Sequence, residues 1–180
     1  MKFTETKFEG LKIIEPNIFG DDRGFFLESY SKKEFEENGI NADFVQDNHS
    51  RSSSKVLRGL HFQKPPFDQG KLIRVTIGAV LDVVVDLRKN SKTFGEYFSL
   101  ELSEHNKKIL WIPRGFAHGF LVLSETADFQ YKVDNYYNKE SEGGIIWDDM
   151  ILGIKWGISD PKVSEKDSFL PQFKDFESPF

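Results

Sequence analysis

Short stretches of strict two-residue alternation, repeated along the chain and separated by turn residues, leave few folds open to this sequence. In EYFSLEL (96–102) the apolar Phe98, Leu100 and Leu102 alternate with Tyr97, Ser99 and Glu101, the pattern of a strand with one dry and one wet face. KLIRVTIGAVLDVVVDLR (71–88) reads as two strands around Gly78-Ala79, ILWIPRGFAHGFLVLS (109–124) as strands interrupted at Pro113 to Gly115, and DFQYKVDNYY (128–137) as another. Helical segments do not alternate with these strands. The pattern therefore predicts an antiparallel sandwich or barrel of jelly-roll type rather than a parallel sheet with crossover helices.

One short helix is predicted over residues 32–38, because Ser31-Lys32-Lys33-Glu34 matches a capping box and Gly39 stands where a helix would end. After about residue 147 the alternation loosens into a loop-rich tail, which is expected to pack back on the sheets. A length of 180 residues suits one domain, with residues 1–180 as a single unit. Neither a secretory signal nor an apolar run long enough to cross a membrane is present, so the expected location is the cytoplasm and no membrane contact is expected. The net charge of −5 arises from mixed signs without a basic tract, which argues against a nucleic-acid partner.

The chain has no cysteine, so histidines and carboxylates carry its reactive repertoire. Alternation puts Gly59, His61 and Gln63 on one face of their strand, Phe116, His118, Phe120 and Val122 on one face of a later one, and Phe129, Tyr131 and Val133 on a third. Each polar tip taken singly is most simply a core residue with a backbone partner. Two imidazoles and a phenol together need partners for all their polar atoms unless the space is wet or binds a ligand. A metal is not expected: the pair His61-Phe62-Gln63 lacks the second histidine of a His-x-His pair, and the next charged residues are Lys64, Asp68 and Lys71. Without a metal, a neutral imidazole is suited to taking a proton beside a ketone at cytoplasmic pH. A lysine ammonium or a second histidine would stabilise the enolate, and a tyrosine on the other side would return a proton to the opposite face.

With these residues in view, the chain resembles the dTDP-4-dehydrorhamnose 3,5-epimerases, a cupin-fold family of sugar-nucleotide enzymes. The resemblance is carried by IFGDDRGFFLESY (18–30), FVQDNHSRSS (44–53), VLRGLHFQKPPFDQGKLIRV (56–75), GFAHGFLVLS (115–124), FQYK (129–132) and SEKD (164–167). It implies an all-β, cupin-type jelly-roll barrel with a few short helices. It also implies cofactor-independent epimerisation at C3 and C5 of dTDP-4-dehydro-6-deoxy-D-glucose, giving dTDP-4-dehydro-L-rhamnose. By the same resemblance His61 is the base, Tyr131 the opposing acid, Lys71 and His118 lie near the keto oxygen, and Asp167 is the carboxylate partner of His61, with Asp82 in reserve.

For the nucleotide sugar the resemblance implies Arg23, Glu28, Gln46, Asp47 and Asn48, with Arg58 and Lys166 at the pyrophosphate. Phe19, Phe26 and Tyr136 become aromatic walls, and Gln63 and Glu142 ligand contacts, whereas His49 and His105 are left as surface or structural residues. It further implies a homodimer that exchanges N-terminal strands, so that residues 19–28 would serve the neighbour's site. Trp147-Asp148-Asp149-Met150 and Trp156-Gly157 depart from the family's Trp-Asn-Asp-Pro and Trp-Pro. An enzyme inverting only C3 or C5, a ketoisomerase, and a non-catalytic nucleotide-sugar-binding module are the alternatives. Alternation also places Arg58 on the face opposite His61, so a shared pocket requires a bulge or bend at Gly59.

Overall fold

The computed structural model describes residues 1–180. Four strands, β1 (Lys2–Glu5), β2 (Lys12–Glu15), β3 (Ile18–Asp21) and β4 (Gly24–Leu27), precede the helix α1 (Lys32–Glu37). The central run comprises β5 (Gln46–Ser53), β6 (Leu57–Gln63), β7 (Lys71–Ile77), β8 (Ala79–Asp86), β9 (Tyr97–Ser103), β10 (Ile109–Ile112), β11 (Phe116–Val122) and β12 (Thr126–Val133). The short strand β13 (Glu142–Gly144) and helix α2 (Glu165–Ser168) follow in the tail.

Two antiparallel sheets form from these strands, one ordered β1-β2-β10-β7-β12-β5 and the other β13-β6-β11-β8-β9. Neither closes on itself, and β3 pairs with β4 as a separate hairpin. The predicted all-β class and the strand at 96–102 are present, with Phe98, Leu100 and Leu102 on the face turned to the other sheet. That shared interior draws Ile73, Val75, Leu110 and Phe129 from one sheet and Val80, Val84, Phe116 and Phe120 from the other. Alternation along β8 and β11 delivers Val83, Val85, Ala117 and Leu121 to the opposite face, where Leu152, Trp156, Phe173 and Phe176 of the tail cover them. The tail therefore packs on the five-stranded sheet by ordinary apolar burial. A third cluster joins Phe35 of α1, Ile40 and Phe44 to the outer face of the six-stranded sheet at Leu72, Ile109 and Trp111.

The helix runs over residues 32–37, one residue short of the prediction, and Gly39 follows it with a φ of +80°. Its capping box is not made. Ser31 accepts no side-chain cap bond, and the Glu34 carboxylate instead accepts from the Met1 ammonium at 3.0 Å. A full ammonium is a stronger partner than a backbone amide, and β1 brings it within reach.

Candidate active site

Strand β6 breaks the two-residue rule at its centre. Leu57 belongs to the outer cluster, and so do Leu60 and Phe62, which have the opposite parity. The register against β11 shows the cause: His118 pairs with His61 and Phe120 with Arg58, so two steps on β11 match three on β6. This is a bulge at Gly59-Leu60, as the sequence required. Gly59 adopts a φ of +126°, and a Cβ there would stand 2.6 Å from Gly119 Cα and 2.9 Å from His118 O. The bulge turns Arg58 and His61 to the same side, and both line one cavity of about 350 Å³ between the sheets.

His61 is fixed from behind. Its Nε2 lies 2.7 Å from Asp167 Oδ1, while Asp167 Oδ2 accepts from the Gly59 amide at 3.2 Å. Helix α2 supplies this carboxylate, with Ser164 capping the helix by accepting from the Asp167 amide. Burial alone would raise the Asp167 carboxyl, but the His61 hydrogen bond and charge, with the Gly59 amide, hold it below the usual carboxylate range. An ionised carboxylate only accepts, so Nε2 of His61 carries the proton and Nδ1 is left bare as a base.

Directly across the strand pair, His118 is buried and places its Nε2 2.8 Å from Asp82 Oδ2. Asp82 is therefore the partner of His118, not of His61. Burial lowers the His118 pKa, and Asp82 offsets this only in part. From the opposite sheet come Lys71 of β7 and Tyr131 of β12, both lining the same cavity. Desolvation pulls the Lys71 ammonium down to about 8, against the attraction of Asp82. Burial raises the Tyr131 phenol, and the Arg58 charge pulls it back. The ring of Phe129 lies between these groups, 5.8 Å from His118 and 6.0 Å from Tyr131.

An imidazole and a phenol thus enter one cavity from opposite sheets, with a single ammonium beside them. A family model described as dTDP-4-dehydrorhamnose 3,5-epimerase matches residues 5–175. The chain belongs to the dTDP-4-dehydrorhamnose 3,5-epimerase family. The enzyme of that name from Shigella flexneri is 52% identical over 168 residues, which cover 93% of each chain. The crystal structure of the Elizabethkingia anophelis dTDP-4-dehydrorhamnose 3,5-epimerase is 54% identical and superposes with a TM-score of 0.93 over 97% of each chain. A Legionella pneumophila dTDP-6-deoxy-D-glucose-3,5-epimerase, solved in complex with dTDP-4-keto-L-rhamnose, is 48% identical with a TM-score of 0.94, covering 98% of this chain and 94% of its own.

In this member of the epimerase family, the other residues singled out from sequence are divided between the cavity and its surroundings. Arg58 and Asn48 line the cavity, and Arg58 is steadied through Nε by Ser52 Oγ at 3.1 Å. Glu142 and Lys166 form an ion pair joined by Tyr137, whose hydroxyl donates to Glu142 at 3.2 Å. Gln63 does not line the cavity: its side chain accepts from the Asn138 amide at 2.8 Å, and its backbone pairs with Glu142 of β13. Gln46 donates to Asn48, Asp47 pairs with Lys132 at 2.8 Å, and Tyr136 is exposed.

Phe19, Arg23, Phe26 and Glu28 stand apart from the cavity. They sit on or just after the projecting β3–β4 hairpin, where Phe19 is 62% and Phe26 64% exposed and Arg23 is clamped on Asp21. Ser50 and Gly119 line the cavity and were not singled out, whereas Phe120 and Phe129, which alternation put on the faces of His118 and Tyr131, line it too. Ser50 could have been found, since it shares the face of Asn48 two residues on. His49, set aside as a surface residue, is exposed at the cavity rim with its Nε2 3.2 Å from Asp128.

Proposed function

We propose that this protein is a cofactor-independent 3,5-epimerase that converts dTDP-4-dehydro-6-deoxy-D-glucose to dTDP-4-dehydro-L-rhamnose, a step of dTDP-L-rhamnose biosynthesis. The observation that carries the reading is the entry of the His61–Asp167 dyad and Tyr131 into one cavity from facing sheets. His61 Nδ1 takes the proton on a carbon flanking the C4 ketone, and the C–H electron pair moves into an enolate. Asp167 steadies the imidazolium so formed. Lys71 neutralises the charge that develops on the keto oxygen. Tyr131 then donates its proton to the same carbon from the opposite face, which inverts it, and solvent restores both residues. The same cycle at the second flanking carbon completes the reaction. Arg58 suits the pyrophosphate, where a guanidinium offsets negative charge.

The two facing sheets with a ligand-sized space between them are read as an opened jelly-roll barrel forming one domain. No helix is long and apolar enough to cross a membrane, and the working location is the cytoplasm. Exposure of the β3–β4 hairpin supports a homodimer in which Phe19, Arg23, Phe26 and Glu28 reach the neighbour's nucleotide.

Incubation with the 4-keto sugar nucleotide in deuterium oxide tests the reading, with isotope scored at C3 and C5 separately. Label at both carbons in an inverted product is expected. Label at one carbon alone would make the protein a mono-epimerase, and label at neither would leave only a binding role.

A further inference from the structure

Asp82 has no task in the reaction as written, yet it is fully buried beside the cavity. Alternation on β8 turns it inward with Val80 and Val84. One carboxylate oxygen meets His118 Nε2 at 2.8 Å, and the other, Oδ1, is the single buried side-chain N or O atom without a hydrogen-bond partner. An unshared buried oxygen is costly. Its charge favours the ionised form of Lys71, the one ammonium lining the same cavity as His118.

We infer, building on the epimerase reading above, that Asp82 is a positioning residue: it holds the His118 proton on Nε2 and keeps Lys71 charged. The consequence divides the work differently from the family resemblance. A carboxylate can only accept, so the neutral His118 ring carries its proton toward Asp82 and its Nδ1 is bare. His118 then cannot donate to the keto oxygen. It acts as an acceptor, and Lys71 is left to donate to the enolate oxygen, while Tyr131 serves the carbon. Burial keeps His118 neutral in this arrangement, and the nearby positive charge of Lys71 reinforces that. The remaining titratable groups around this pair are His49 from β5, His61 and Arg58 from β6 and Tyr131 from β12. They stay in place when Asp82 alone is changed.

The test is the near-isosteric Asp82→Asn variant, assayed for turnover against pH with the 4-keto sugar nucleotide. Loss of the anion is expected to move the alkaline limb of kcat down by about one pH unit, with kcat lowered about twofold at pH 7 and about tenfold at pH 9, and KM within about twofold. A merely structural role would lower kcat at every pH without moving the limb, and that result would overturn the inference. Nitrogen-15 spectra of the unmodified enzyme give a second reading that does not depend on the variant folding. His118 is expected to show a protonated Nε2 and a bare Nδ1, and a proton on Nδ1 would equally overturn it. Absence of deuterium exchange by the unmodified enzyme would instead defeat the epimerase reading itself.

Discussion

Lys71 is held at a cost to the fold. Desolvation takes its ammonium from 10.5 to about 8 even with the attraction of Asp82 included. A drop of that size corresponds to about 3 kcal/mol against folding at neutral pH. Lys71 is only half-buried and lines the open cavity, and solvent screening there reduces the figure to roughly 2 kcal/mol. Methionine has similar length and no charge, so Lys71→Met is expected to melt about 4–8 °C higher than the parent at pH 7. It should also lose about 10²–10³ in kcat, the scale of removing one oxyanion donor.

The sign of the pH dependence follows from the two values. The folded pKa of about 8 lies below the unfolded value of 10.5, so the penalty is fully present below pH 8. It fades as pH rises from 8 to 10.5, where the unfolded chain still holds a proton that the folded one has released. The stability gap between variant and parent must therefore shrink over that window. Chemical denaturation at pH 7, 9 and 10, at one protein concentration, measures it. A variant no more stable than its parent at pH 7, or a gap that widens toward pH 10, would refute the reasoning.

Three further outcomes are expected. Tyr131→Phe should still wash solvent deuterium into the substrate through His61 while inverted product falls about 10²-fold or more; product at the parental rate would show that another group is the acid. Asp167→Asn should lower kcat by about 10²–10⁴. Because the Asp167 carboxyl is held below its ordinary value of 3.8, the parent's stability advantage over this variant is present above pH 3.8 and vanishes as pH falls through the folded value; an advantage that persists at acid pH would contradict the assignment. Gly59→Ala places a Cβ 2.6 Å from Gly119 Cα at a φ of +126°, and is expected to cost about 3 kcal/mol or more. Calorimetry showing an unchanged melting temperature would mean that the bulge relaxes freely.

Alternation is a local rule, and what it governs was legible early. The inward faces of β8, β9, β11 and β12 follow from period two, and so do the inward positions of His118 and Tyr131. Even the break in that rule was legible, since Arg58 and His61 could share a pocket only through a bulge at Gly59. Local reasoning failed where a partner came from far along the chain. The Ser31 capping box looked complete, but Glu34 is taken by Met1, 33 residues away. Gln63, on the strand of His61, is captured by the Asn138 amide from the loop before β13.

The choice of carboxylate marks the boundary most clearly. The resemblance supplied Asp167 as the partner of His61, with Asp82 in reserve, and nothing local in the sequence places a tail residue there. Asp82 lies on β8, two strands from His61 in the sheet, opposite Phe120 of β11 and diagonal to His118, whose Nε2 it holds. Asp167 is 106 residues from His61 and arrives because the tail's Leu152, Trp156, Phe173 and Phe176 bury themselves on the outer face of the five-stranded sheet. Period two says which way a side chain points, since each backbone step reverses it. Which two side chains meet is decided by the burial of apolar surface over the whole molecule, and that information is not contained in any one strand.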